Sequence, residues 1–198
     1  MRIFDTDIPH GSICQWFPEN TTIIDIARTG DHVKMLDQMI QEPELNYVVD
    51  LQSSLLERFF EIFHDILFDE GAGEAGIGVA VFYILDRSMR SIEAAKRTRE
   101  KLRSAEFILV RNDAIGDILH EPKAAELYLS IPRDRDIRLP KLSSEARDTV
   151  ERLGFSFSAF LTGKAEEVPV SVRFEIWNFL ETIYNQRQAG GSGDTLVV

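Results

Sequence analysis

The side chains best suited to chemistry are carboxylates that directly follow short apolar runs. Asp5 and Asp7 come after Ile3 and Phe4 in the stretch RIFDTDIP, and Asp50 ends the apolar run YVVD. Such runs predict strands, and parallel strands bring their carboxyl ends to one edge of a sheet, where open α/β folds bind ligands. A carboxylate at that edge can orient a water and accept its proton, or hold Mg²⁺ through oxygen.

Four apolar runs that end in polar residues organise the chain. They lie at residues 2–9, 47–51, 79–86 and Glu106–Asn112. Most precede a segment of helical periodicity, which is typical of repeated strand–helix units. Further strands are predicted over residues 21–27 and 127–131. The predicted fold class is α/β, with a mostly parallel sheet and helices on both faces.

The helical segments are recognised by their apolar periodicity and their capping residues. They are predicted at residues 32–41 after an Asp31 cap, from 53 or 54 to about 68, from a Ser88 cap to about 103, from 143 or 144 to 154, and from 169 to 188. Residues 71–76, GAGEAG, match G-x-G-x-x-G. A helix is predicted before them and a strand after them, the reverse of a dinucleotide-binding motif, so we predict a flexible loop there.

Taken in order, four segments resemble the motifs of ParA/MinD-type ATPases, a deviant P-loop class that includes partition and conjugative-transfer ATPases. The stretch DTDIP resembles the D-x-D-P segment, and residues 47–50 resemble the Walker B strand. Residues 107–112 resemble the strand that ends in an adenine-reading Asn. The segment IPRD at residues 131–134, followed later by residues 144–146, resembles the I-P-R-x loop. The resemblance covers roughly residues 2–150.

The resemblance implies roles for four residues. Asp7 would position the attacking water, and Asp50 would hold Mg²⁺ through a water. Asn112 would read the adenine edge, and Pro132 would stack on the ring; Asn112 is also an ordinary turn former after a strand. ATP and Mg²⁺ are the implied cofactors. The implied function is ATP-dependent switching in plasmid partition, conjugative transfer or cell organisation, by a cytoplasmic homodimer.

The chain departs from that family at its phosphate-binding loop. It contains no G-x-x-x-x-G-K-[ST] motif, and Met1 directly precedes the D-x-D strand. Without the loop there is no ring of backbone N–H groups, no phosphate lysine and no hydroxyl for Mg²⁺. We therefore expect residues 1–188 to be one N-terminally incomplete domain, followed by a flexible tail at 189–198. We also expect that this chain alone does not bind ATP.

The missing strand would lie between the strands at residues 47–51 and 79–86. Its loss leaves two open strand edges or lets these neighbours pair directly. The first expectation is a fragment of an ATPase. The alternative is a degenerate, non-catalytic binding or dimerisation module of the same fold.

The helix predicted over residues 88–103 is unusually basic for this protein. It carries Arg90, Lys96, Arg97, Arg99, Lys101 and Arg103. One interpretation is a solvated outer helix; the other is an anion-facing surface, with Arg97, Arg99 and Lys101 contacting DNA non-specifically, as ParA-type ATPases do. An adaptor protein is the other class of partner.

Composition and charge restrict the kinds of partner and site that the chain can have. The chain has 198 residues, 44% of them hydrophobic, and a formal net charge of -11, which argues against broad attraction to nucleic acid or anionic membranes. No apolar run approaches the roughly 20 residues of a membrane span. The single cysteine, Cys14, excludes an internal disulfide and suits a reducing cytosol. The four histidines lack metal-ligand spacing.

Overall fold

A computed structural model describes residues 1–9, 11–152, 154–165 and 168–188; the predicted tail at 189–198 lies outside the described residues. The strands are β1 Arg2–Asp5, β2 Thr21–Ile23, β3 Tyr47–Asp50, β4 Ala80–Leu85, β5 Glu106–Asn112 and β6 Arg135–Leu139. The α-helices are α1 Thr29–Gln41, α2 Leu56–Asp65, α3 Phe68–Glu74, α4 Met89–Glu100, α5 Pro122–Leu129, α6 Ser144–Val150, α7 Phe157–Leu161 and α8 Val170–Gln188.

The strands form two parallel three-stranded sheets, in the orders β2-β1-β3 and β4-β5-β6. The α/β class is therefore confirmed, whereas the six strands do not form the one sheet that was predicted. In the first sheet Asp5 pairs with Ile23 on one side and with Asp50 on the other. Strands β3 and β4 are edge strands of separate sheets, so direct pairing between them is not observed. The P-loop class stays a prediction.

The chain divides into two compact units. The first comprises Met1–Val81 and Glu93–Phe107, and the second comprises Phe82–Ile92 and the described residues from Ile108 onward. The core of the first unit contains an aromatic cluster in which Phe59 and Phe60 pack edge to face. Buried residues of the second unit include Ala146, Val168, Val172 and Ile176. The single domain expected over residues 1–188 stays a prediction.

The helix borders differ from the sequence prediction in the first unit. Asp31 does not cap α1, because the helix begins at Thr29 and Asp31 lies in its first turn. The helix predicted over residues 53–68 is interrupted after α2, where Leu67 adopts a φ of 54° and α3 begins. The loop prediction for GAGEAG was wrong, because its first four residues belong to α3. The sequence pattern did not indicate this short helix because it contains two glycines, and glycine disfavours helices.

The strand predicted over residues 127–131 was also wrong. Helix α5 begins with Pro122 at a position that suits proline, and buries Ala124 and Tyr128, four residues apart. The strand lies further on, at β6, where Ile137 is the one buried residue and has charged neighbours on both sides. A five-residue edge strand with only two apolar residues, Ile137 and Leu139, carries too short a pattern to be recognised from sequence.

His32 is a buried polar side chain on α1. Its exposed fraction is 0%, and its ring stacks on Phe59 at a centroid distance of 4.5 Å. Neither ring nitrogen has a hydrogen-bond partner among the described residues. Burial and the nearby charge of Arg58 lower the pKa of His32 to about 4. The folded protein therefore holds this imidazole neutral.

His32 predicts a specific pH dependence of stability. The unfolded chain takes up a proton on histidine near pH 6.5, whereas folded His32 does so only near pH 4. Stability is therefore lost as pH falls through that window, by up to about 3 kcal/mol. In His32→Phe this loss should disappear, because the apolar ring keeps the stack and does not titrate. Urea unfolding at several pH values would measure it. The exposed His120→Gln is the control, and an unchanged pH slope in His32→Phe would contradict the assignment.

Candidate functional site

Asp5 is a fully buried carboxylate at the carboxyl end of β1. Its Oδ1 accepts the backbone N–H of Asp7 at 3.0 Å. Its Oδ2 accepts the N–H groups of Ile13 at 2.8 Å and of Cys14 at 3.3 Å. A buried charge is tolerated when hydrogen bonds replace its water. Asp5 therefore organises the loop after β1 and is not accessible as a ligand.

Gly11 lets this loop close over Asp5. It adopts a φ of +68°, and its N–H donates to the carbonyl of Asp7 at 2.7 Å. A Cβ at this position would lie 2.9 Å from Oδ2 of Asp5 and 3.0 Å from Cβ of Cys14. Both the conformation and the close approach therefore require glycine.

The loop is tied to β3 by two hydroxyl groups. Thr6 is buried; its Oγ1 donates to the carbonyl of Asp50 at 2.9 Å and accepts the N–H of Gln52 at 2.8 Å. The hydroxyl of Ser12 donates to Oδ2 of Asp50 at 3.1 Å. The half-buried Asp7 follows Thr6 at the same edge. The structure thus brings the two predicted acidic residues, Asp7 and Asp50, to one sheet edge; their predicted roles are not tested by this placement.

Asn112 and Pro132 belong to the second unit. Asn112 ends β5, and its Oδ1 accepts the N–H of Ala114 at 2.9 Å. This is the turn arrangement that asparagine commonly forms after a strand. Pro132 is exposed in the segment between α5 and β6. Their assignment to an adenine site stays a prediction.

The three predicted DNA-contacting residues differ in their surroundings. Arg97 is exposed on α4. Arg99 is half-buried and donates through Nη1 to the carbonyl of Leu102 at 3.2 Å. The Nζ of Lys101 lies 3.5 Å from a carboxylate oxygen of Glu61. Two of the three cations therefore already serve contacts within the first unit.

The sheet edge presents oxygen donors, whereas its backbone amides are already occupied. Asp50 and Ser12 offer hard oxygen donors, the kind that Mg²⁺ prefers. Within the described residues, however, no three acidic, histidine or cysteine side chains cluster as a metal site. The amides of Asp7, Ile13 and Cys14, which could face an anion, bind Asp5 instead. The edge as described provides no phosphate cradle.

Comparison with known proteins does not add a family. No family model, no curated protein and no solved structure matches the chain. Among the described helices, none combines the length and the apolar character that crossing a bilayer requires.

Sequence reasoning missed the residues that build the edge. Thr6 lies inside the DTDIP stretch, where sequence reasoning considered only the two aspartates, and Gly11 and Ser12 lie in the segment that follows it, to which no role was assigned. The one available signal was a glycine followed by a small hydroxyl residue, soon after a strand that ends in acidic residues. It could not show that Asp5, and not Asp7, is the buried carboxylate.

Replacing Asp5 should destabilise the protein more than replacing Asp7. Asp5→Ala leaves three N–H groups without their acceptor, at a cost of about 2–4 kcal/mol. Asp7→Ala changes a partly exposed side chain and should cost less than about 1 kcal/mol. Urea unfolding of both variants measures the difference. Equal losses in the two variants would show that Asp5 does not hold the loop.

Proposed function

We propose that this chain is a ParA/MinD-like ATPase-family protein that carries the water-orienting and Mg²⁺-binding side of the site. Two features support the proposal. The first is the parallel register of β1 and β3, which pairs Asp5 with Asp50. It delivers Asp7 and Asp50 to one carboxyl edge, where α/β folds bind ligands. The proposed setting is a cytoplasmic switch in plasmid partition, conjugative transfer or cell organisation.

The second feature carries the proposal: the six strands form two separate parallel sheets of three strands each. The resemblance puts the P-loop strand between the strands that are β3 and β4 here. Both are edge strands, in separate sheets. An edge strand presents unpaired N–H and C=O groups to a further strand. Two such open edges are what the absence of a strand between β3 and β4 would leave.

The residues present account for only part of an ATPase site. In the proposed role, the Asp7 carboxylate orients a water and accepts its proton. Asp50, supported by the Ser12 hydroxyl, offers oxygen to a hydrated Mg²⁺. Nothing among the described residues replaces the phosphate lysine and the amide nest, so no phosphoryl step is assigned to this chain.

The second candidate is a non-catalytic binding or dimerisation module of the same fold. It is supported by the hydrogen bonds within the sheet edge, which occupy the groups that a ligand would need. Asp5 takes three loop amides, and Ser12 donates to Asp50. Groups that would face a ligand thus stabilise the loop.

The 198-residue chain should not bind ATP at micromolar concentrations. A triphosphate at this edge would meet Asp7 and Asp50 without a compensating lysine or free amides. Titration of a fluorescent ATP analogue with Mg²⁺ tests this directly. Saturable binding that ADP displaces would mean that the phosphates are held elsewhere.

A chimera separates the two candidates. A strand–P-loop–helix segment from a ParA-type ATPase would be joined before Met1. If the chain is an ATPase part, the chimera should bind ATP with Mg²⁺, and Asp50→Ala should weaken that binding. Asp7→Ala should keep binding but slow hydrolysis at least about 100-fold. The exposed Asp37→Ala is the matched control. A folded chimera without ATP binding would favour the non-catalytic module.

If the basic segment at α4 contacts DNA, Arg97 should contribute most of the binding among Arg97, Arg99 and Lys101. Because Arg99 and Lys101 already have partners, Arg97→Glu should reduce DNA retention at low salt nearly as much as the triple change Arg97→Glu, Arg99→Glu, Lys101→Glu. Retention should also fall steeply as salt rises, since neutralised phosphates release counterions. Lys34→Glu, an exposed lysine on α1, is the control. Native retention by the triple variant would exclude this surface.

A further inference from the structure

Helix α8 carries an apolar stripe on its exposed face. Val170, Phe174, Trp177 and Tyr184 have exposed fractions of 81%, 74%, 49% and 58%. The opposite face is buried, with Val172 and Ile176 at 1% and 0%. The buried face packs against α6 and its surroundings in the second unit. Four large apolar side chains of the helix are thus exposed on the side away from its buried face.

The spacing of this stripe is that of a helix-pairing surface. Val170, Phe174, Trp177, Glu181 and Tyr184 follow one another at intervals of four, three, four and three residues. This is the a/d repeat of a coiled coil, which keeps one line of side chains facing a partner helix. We call these five residues the α8 seam. Contiguous exposed apolar residues mark interaction surfaces.

We propose that the α8 seam is the contact surface of a homodimer, in which two copies of α8 pack antiparallel about a two-fold axis at Trp177. A two-fold axis makes one patch complementary to itself, so a single seam suffices for both subunits. The interface would place the two Trp177 side chains together at its centre. Large aromatic side chains at the centre of an interface supply most of its binding energy.

Charge selects the antiparallel arrangement and a second copy as the occupant. Arg173 and Glu181 each lie four residues from Trp177, on opposite sides of it. The two-fold axis therefore brings Arg173 level with the partner's Glu181, and the reciprocal pair forms by symmetry. Val170 lies level with the partner's Tyr184 in the same way. A parallel pair would instead set Glu181 against the partner's Glu181, and like charges there repel.

This inference is independent of nucleotide binding, because the seam lies in the second unit, whereas Asp7 and Asp50 belong to the first. A dimer built on α8 would form without ATP. Its formation neither requires nor supports the proposed ATPase role.

Sedimentation velocity of the full 198-residue chain over a range of concentrations tests the proposal. We expect a reversible monomer–dimer equilibrium without nucleotide. Phe174→Glu and Trp177→Glu should each weaken association at least about ten-fold, as loss of an aromatic anchor does. Ile84→Glu is the matched control, because Ile84 is 60% exposed on the edge strand β4. Circular dichroism melts should show that all variants stay folded.

A charge swap tests the orientation. Arg173→Glu and Glu181→Arg alone should each weaken association by about three- to ten-fold, and the double swap should restore it to within about two-fold of the native value. Failure of the double swap to restore association would overturn the antiparallel pairing. So would a chain that stays monomeric at all concentrations, or a dimer that Ile84→Glu abolishes. A dimer that appears only after residues 189–198 are removed would identify the chain's own C-terminal segment as the occupant, and would also overturn the proposal.

Discussion

The buried carboxylate of Asp5 is the interaction on which the proposed site depends. Three backbone N–H groups, from Asp7, Ile13 and Cys14, converge on its two oxygens. Their donation replaces the water that a buried charge would lose. The loop held in this way places Ser12 against Asp50. Without Asp5 the loop after β1 would lose these hydrogen bonds. The placement of Ser12 against Asp50 therefore depends on the Asp5 carboxylate and its three donors.

A second buried carboxylate in the first unit also accepts several backbone N–H groups. Asp69 is buried, and its Oδ2 accepts the N–H groups of Arg103 at 2.6 Å, Ser104 at 2.8 Å and Ala105 at 3.3 Å. Burial alone would raise the pKa of this carboxyl, but the donors at Ser104, Arg103 and Ala105 together outweigh it and lower the pKa. An acidic chain thus uses buried carboxylates to fix backbone that has no strand or helix partner. In both places the amides bind a carboxylate of the protein itself, so the amides beside Asp5 are not available to a phosphate.

The sequence predicted strands β1, β3, β4 and β5 well, because each is an apolar run that ends in a polar residue. It did not predict β6, in which Ile137 alone is buried, or helix α3, which contains two glycines. It also could not show which of Asp5 and Asp7 is the buried carboxylate. Both follow the same apolar pair, and two of the three donors to Asp5 lie eight and nine residues further on. Donors at that separation, like the division of the strands into two sheets, depend on tertiary contacts that local patterns do not encode.

Amide hydrogen exchange, resolved by residue, tests the central claim that the loop amides bind Asp5 and not a ligand. The N–H groups of Ile13 and Cys14 should exchange at least about 100-fold more slowly than in an unstructured peptide, because exchange requires the loop to open. Millimolar Mg²⁺ and ATP should leave their rates unchanged. Rapid exchange of both amides in the free chain, slowed only when nucleotide is added, would contradict the account and show that these amides are available to phosphate.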